Sequence, residues 1–280
     1  MVYDRLRWEE KSLYEEARKM GVQAGLVDAK LMVYDSRDGG FNLDLGDVVY
    51  VRCISHFRAQ MVSAIIESAG YTCVNTHSVL ETCSNKLLTT LALKRHGIPT
   101  PRTLMAFSAE GVNQAAQTLG YPLVLKPLVG SWGRLVALAR DEETLKALVE
   151  HREELGNPLD HLYYLQEYVS RPPRDIRAVV VGGEVVAVVY RVSAEGEWRT
   201  NVARGATTEA LQPSEELAEL LARSAEAVGG GILGVDAMES GGGYLVHEVN
   251  GTVEFRGAQS AVQNSIPRKI VEHLVREVKK

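Results

Sequence analysis

LGVDAMESGGGYLVHEVN, residues 233–250, sets two apolar runs, 233–238 and 244–250, on either side of the turn sequence 240–243. Two such runs joined by glycines read as an antiparallel hairpin. With the turn centred on residues 241–243, Asp236 lies nearly opposite Glu248. Side chains alternate faces along a strand, so Glu248 and Asn250 are expected to share a face with Tyr244 and Val246, with His247 on the other. Carboxylates that face each other across a ladder repel. A divalent cation between Asp236 and Glu248 removes that cost, and Asn250 adds a neutral oxygen. An all-oxygen set with few protein ligands suits Mg²⁺. The plain alternative is a solvated hairpin face that carries two acids.

Working outward, residues 179–181 and 185–190 flank Gly182-Gly183 as a second hairpin, and 214–228 reads as a helix closed by Gly229. A terminal helix is expected over 271–279. Upstream, 123–127 is a strand, 129–133 a glycine-rich turn, 135–139 a strand, 141–152 a helix and 163–169 a strand. Ser84 is the expected N-cap of a helix over 86–96, stopped by Gly97 with Pro99 beyond. In the first third, helical patterns over 10–20 and 60–68 alternate with apolar runs at 48–51 and 71–74. That alternation predicts a small α/β unit with a parallel sheet. The fold class is therefore α/β followed by α+β, divided as 1–85, 86–165 and 166–280.

The 280 residues are 45% hydrophobic and 24% charged, ordinary globular values. A net charge of −5 argues against a nucleic-acid partner bound by broad phosphate neutralisation. Cys53, Cys73 and Cys83 are odd in number and lack metal-ligand spacing, which fits free thiols in a reducing cytoplasm. The polar N-terminus does not read as a signal peptide, and no apolar run approaches the ~18 residues of a membrane span.

Lys126 ends an apolar strand and is either a snorkelling edge residue or a charge aimed into a cleft. Gly130, Ser131, Trp132 and Gly133 follow, a turn able to offer backbone N–H groups to phosphate. It is not a Walker A loop. Residues 229–234 spell G-x-G-x-x-G but follow a helix and precede a strand, the reverse of the dinucleotide-binding context. Gln166, Glu167, Tyr168 and Val169 end a strand whose backbone could meet a flat heterocycle, with Glu167 as a polar acceptor. Arg174, Arg177, Arg191, Arg199 and Arg204 cluster with Asp175 and Asn201, and Arg forks suit carboxylates and phosphates. No G-x-S-x-G, H-E-x-x-H or Cys–His pair is present. Lysines, arginines and carboxylates without a nucleophile suit phosphoryl transfer.

In this order, Lys86, Lys126, the loop 130–133, Gln166 to Val169, Asp175-Ile176-Arg177, Arg191, Asn201, Asp236, Glu248 and Asn250 resemble the ATP-grasp superfamily. KPLVGSWGRL (126–135), QEYVSRPPRDIR (166–177), NVARG (201–205) and EVNGTVEF (248–255) are similar to RimK-like ligases, and among them to the LysX and ArgX types. The resemblance implies an ATP-grasp fold with an N-terminal Rossmann-like (pre-ATP-grasp) domain, a small central domain and a C-terminal domain. It implies ATP with two Mg²⁺ ions, a small acidic carrier protein (LysW), and 2-aminoadipate or glutamate as the amine. A homodimer or homotetramer is expected.

By the same resemblance Lys86 and Lys126 neutralise phosphates, loop 130–133 with Arg134 covers them, and Gln166, Glu167, Tyr168, Val169, Asp175, Arg177 and Asn201 complete the nucleotide site. Lys126, Arg191 and Arg204 are the catalytic cations. Arg191, Val202, Ala203, Glu254, Phe255, Arg256, Gly257 and Ala258 meet the amino acid. Glutamate-type ligases carry Gly-Phe, and aminoadipate-type ligases Asn-Ser, where this chain has Gly257-Ala258, so it fits neither fully. Two other readings are a RimK-like glutamate ligase with another acceptor and a non-catalytic ATP-binding module. Arg5, Arg7, Arg52 and Arg58 are expected to steer an acidic carrier.

Overall fold

The protein is described from a computed structural model that covers residues 1–37, 40–41, 45–155, 157–201 and 205–278. The first third contains β1 (Val2–Tyr3), α1 (Trp8–Lys19), β2 (Val27–Asp28), β3 (Tyr34–Asp35), β4 (Gly40–Phe41), β5 (Val48–Tyr50), α2 (His56–Ser68), β6 (Thr72–Val74) and α3 (His77–Ser84). β1–β2 and β5–β6 pair in parallel, and a parallel bridge from Val2 to Val51 joins the two pairs. Strand–helix alternation produces the parallel sheet because a parallel connection needs a crossover, here α2 between β5 and β6. α2 starts at His56 because the Ser55 side chain accepts from Arg58 N, ahead of the stretch that the apolar pattern marks.

α4 (Lys86–Arg95) follows, then β7 (Thr103–Ala106), α5 (Ala109–Leu119), β8 (Leu123–Lys126), β9 (Ala137–Ala139), α6 (Glu142–Glu153) and β10 (Tyr163–Glu167). The four strands form an antiparallel sheet in the order β7-β10-β8-β9, packed against α5 and α6. Asn85, not Ser84, caps α4: its Oδ1 accepts from Leu87 N at 3.0 Å and Leu88 N at 3.3 Å. Ser84 instead closes α3, with its hydroxyl donating to Glu81 O.

The last part comprises β11 (Arg174–Val181), β12 (Glu184–Val192), β13 (Thr207–Ala210), α7 (Glu215–Ala227), β14 (Ile232–Ser240), β15 (Gly243–Asn250), α8 (Arg256–Ala261) and α9 (Ile266–Val278). Its five strands lie antiparallel in the order β13-β12-β11-β14-β15. One face buries Ile176, Ala178, Val180, Val235, Ala237 and Val246 against α7 and α4. The other buries Val179, Val181, Val189 and Ile232 against α1, α8 and α9. Burial on both faces explains why β11 ends in a continuous apolar run, AVVV at 178–181. At the other end of that second face the same alternation brings up Arg177, Asp175, Arg191, Asp236 and Glu248.

Asp236 does lie opposite Glu248, but not through the turn alone: the turn pairs Ser240 with Gly243, which by itself would set Asp236 against His247. The next pair is Ala237 with Val246, so His247 is an extra residue in a bulge. Tyr244 and Val246 therefore pack into the α7 side, opposite Glu248 and Asn250. His247 turns to the site side, where its Nε2 lies 3.8 Å from Asp175 Oδ2.

Arg52, expected on a docking surface, is fully buried. Its guanidinium donates to Glu10 Oε1 at 3.1 Å and to Val253 O at 2.7 Å, and lies 5.9 Å from the Phe255 ring centroid. Phe255 is itself fully buried and edge-on to Trp8, so it supports the core and does not face a substrate. Removing one partner of a buried ion pair leaves an uncompensated charge, so Arg52→Ala is expected to cost about 3–5 kcal/mol. Urea unfolding should show a lowered midpoint, with Glu10→Gln/Arg52→Met losing less than the sum of its single substitutions.

Candidate active site

Two cavities meet at the polar end of the five-stranded sheet. The narrow one, about 100 Å³, lies between the two antiparallel sheets and is lined by Lys86, Lys126, residues 130–134, residues 166–169, Asp175, Arg191, Asn201, Asp236, His247 and Glu248. The wider one, about 860 Å³, shares residues 130–132, Arg191, Asn201, Asp236 and Glu248 with it. It opens toward the N-terminal unit, with Arg7, Glu9, His56, Arg177, Asn250, Glu254, Arg256, Gly257 and Ala258 on its wall.

Lys126 leaves the end of β8 and donates through Nζ to Gln166 Oε1 at 2.6 Å. Gln166 spends its amide N–H groups on Thr103 Oγ1 and Tyr164 OH, so it orients the lysine. Burial pushes the Lys126 ammonium down to about 8, against the opposing pull of Glu248. Lys86, at the start of α4, donates to Gly130 O at 2.8 Å and lies 3.6 Å from Glu248 Oε1. Burial would raise the Glu248 carboxyl, but Lys86 leads a set of cations that hold it at about 2.

Asp236 is enclosed by Arg177, Nε 2.5 Å from Oδ1, and by Arg191, Nη2 3.1 Å from Oδ2. Arg177 fits over β14 because residue 234 is glycine: a Cβ there would come within 3.0 Å of the Arg177 Nη1 and 2.9 Å of Val253 Cγ2. Arg191 makes a bidentate pair with Asp175, at 2.7 and 2.6 Å, and Thr200 Oγ1 also donates to Asp175. Burial would raise the Asp175 carboxyl, yet Arg191 holds it well below the usual carboxylate range. Asp175 thus serves as the seat of Arg191.

The glycine-rich loop bends through Trp132, at φ 60°, and Gly133, at φ 63°, in the left-handed region. Trp132 Nε1 donates to Glu254 Oε2 at 3.1 Å, and Arg7 Nη1 holds Glu254 Oε1 at 2.5 Å. Arg134 stacks on the Trp132 ring at 4.9 Å. The loop is therefore clasped to the N-terminal unit. Glu167 Oε1 accepts from Arg102 N at 2.7 Å, and the Tyr168 ring packs edge-on to Trp198. Gly257 O accepts from Thr208 and Ser260, and Ala258 is buried in α8. Val202, Ala203 and Arg204 lie outside the described residues.

The donor set fits magnesium. Asp236 and Glu248 are cross-strand neighbours, and the buried Asn250 Nδ2 has no hydrogen-bond partner among the described residues, so the amide is not committed elsewhere through it. Carboxylates offer about four lone-pair positions, enough to serve both a guanidinium and a metal. No group of three or more His, Cys, Asp or Glu side chains among the described residues could hold a metal, so the set rests on two acids and an amide. Thr200, Trp198, Arg171, His56 and His247 also line these cavities. Trp198, Thr200 and His56 lie outside the family-like stretches, whereas Arg171 falls within 166–177 and His247 within the hairpin, turned to the site by the bulge.

The chain matches the RimK-like ATP-grasp domain over residues 83–274 and the LysX preATP-grasp domain over residues 1–82. It belongs to the RimK-like ATP-grasp family. An alpha-aminoadipate–LysW ligase LysX from Saccharolobus solfataricus is 40% identical over 98% of this chain and 99% of its own length. A glutamate–LysW ligase ArgX from Sulfurisphaera tokodaii is 35% identical over 98% and 96%. A RimK domain ATP-grasp protein from Sphaerobacter thermophilus superposes with a TM-score of 0.81 at 25% identity, covering 97% of this chain and 98% of that one. Among the described residues no helix is long and apolar enough to cross a membrane.

Proposed function

We propose that this RimK-like ATP-grasp protein is an ATP-dependent carboxylate–amine ligase. It joins the α-amino group of 2-aminoadipate, or of glutamate, to the side-chain carboxylate of the C-terminal Glu of a LysW-type carrier. The observation that carries the reading is full-length kinship with LysW ligases of both amino-acid types. The two cavities suit it: one is lined by lysines and a glycine loop, and the other is wide enough for a carrier tail and an amino acid.

Lys86 and Lys126 supply positive charge for phosphate oxygens, and the residue 130–133 backbone supplies donors. Two magnesium ions held by Asp236, Glu248 and Asn250 would neutralise phosphate charge and polarise the leaving group. Arg191, fixed by Asp175, stabilises charge that develops on the acyl phosphate and the tetrahedral species. Glu254, Arg256 and Gly257 border the amino-acid end, where Arg7 and Glu9 join them.

ADP release should require carrier, amino acid and Mg²⁺ together. Turnover without carrier would contradict the reading. A second reading, a glutamate ligase with a different acceptor, draws on a tetrahydromethanopterin:alpha-L-glutamate ligase from Methanosarcina acetivorans, 31% identical over 75% of the chain. Glutamate incorporation into an acceptor other than a LysW-type carrier would favour it.

Lys126 gives a pH prediction. Its folded pKa lies at about 8, so the free protein loses this charge as pH rises through that value. ATP favours the protonated lysine, and binding near pH 8 should take up a proton and weaken at higher pH. Calorimetry in two buffers of different ionisation enthalpy reads the uptake, which Lys126→Gln should remove.

A further inference from the structure

Amide formation needs an unprotonated amine, and α-ammonium groups are largely protonated at neutral pH. Some group on the acceptor side must therefore take a proton. The wider cavity offers carboxylates, but each is committed. Glu9 accepts from Arg256 N, Glu254 is tied by Arg7 and Trp132, and Asp236 by Arg177 and Arg191. Glu248 belongs to the proposed metal set. His247 faces Asp175 and lines only the narrow cavity.

His56 is different. It opens α2 on the N-terminal unit and lines the wider cavity with Arg191, Glu248 and Gly257. Its Nε2 is buried and has no hydrogen-bond partner among the described residues. A buried polar atom left unpaired calls for a physical reason, and a ligand proton is one. The charged groups that act on the ring are Lys86 of α4 and Glu248 of β15. Burial lowers the imidazole pKa, Lys86 adds to that and Glu248 opposes it, a balance that favours the neutral ring, which can accept a proton.

We propose that His56 Nε2 is the proton acceptor for the incoming amino acid, an inference that rests on the ligase reading above. His56 takes one proton from the α-ammonium. The freed nitrogen pair forms the C–N bond at the acyl phosphate carbon. The C–O bond to phosphate breaks, its pair leaves with phosphate, and phosphate receives the second N–H proton.

The test compares two amines on the same acyl phosphate. Carrier, ATP and Mg²⁺ are incubated with 2-aminoadipate or glutamate, or with hydroxylamine, which is a free base at neutral pH. His56→Asn and His56→Gln keep a polar side chain of similar size. Both variants should form carrier hydroxamate at the wild-type rate while amino-acid ligation falls about 10²- to 10⁴-fold. Equal loss of both products, or unchanged ligation, would overturn the role of His56. Wild-type protein that forms neither hydroxamate nor amide would overturn the ligase reading and this inference with it.

Discussion

Glu248→Gln should reduce carrier-dependent ADP formation by about a thousand-fold or more. The estimate follows from losing several kcal/mol of charge stabilisation at a metal-ligand position, at about 1.36 kcal/mol per decade of rate. Among the described residues the ion-pair partner of Glu248 is Lys86, at 3.6 Å, so the fold should lose little. Asp236→Ala should lose as much activity and more stability. Its carboxylate offsets two guanidinium groups, Arg177 and Arg191, and its removal leaves both in a buried setting. Steady-state ADP release together with thermal melting separates the two effects. Unchanged ADP release in either variant would instead favour a site that binds ATP without using these acids.

Arg191→Lys should lower kcat by about 10²- to 10³-fold, the usual cost of losing an aligned donor to developing charge. The argument lies in shape. Arg191 spans Asp175 through Nε and Nη2 and also reaches Asp236, and an ammonium on a flexible stem cannot reproduce that planar fork. Positive charge is retained, so the KM for ATP should change little. Asp175→Asn tests the seat: it keeps the size and loses the bidentate partner, and the fall in kcat should follow the same direction. A variant in which KM for ATP rises and kcat holds would place Arg191 in nucleotide binding.

Much of this arrangement is legible in the residues themselves. The glycine turn at 241–243 marks the hairpin that brings Asp236 and Glu248 together, although their pairing needs the bulge at His247 as well as the turn. Lys126 at the end of an apolar strand and Gly97 closing a helix are equally local signals. What escaped depends on distant partners. Nothing in LVHEVN (245–250) marks a bulge, yet one extra residue reverses the face of Tyr244 and Val246 and brings His247 to the site. Ser84 and Asn85 are both good caps, and the choice was made by α3, which the apolar pattern did not reveal.

Arg52 follows an apolar strand and reads as a surface charge. It is buried because Glu10 of α1 and the carbonyl of Val253 reach it from either end of the chain. The resemblance places Phe255 in the substrate wall with Glu254 and Arg256, but Phe255 is buried in the core while Glu254 and Arg256 line the cavity. His56 has no motif at all. Its place is fixed by the fold, which sets the start of α2 and the end of β15 on the wall of one cavity.

The most direct measurement is the mass of the carrier after incubation with ATP, Mg²⁺ and an equimolar mixture of 2-aminoadipate and glutamate. The carrier should become heavier by one amino-acid residue, with one ADP released for each addition and the shift mapped to the C-terminal Glu. A carrier of unchanged mass while ADP accumulates would contradict the ligase reading.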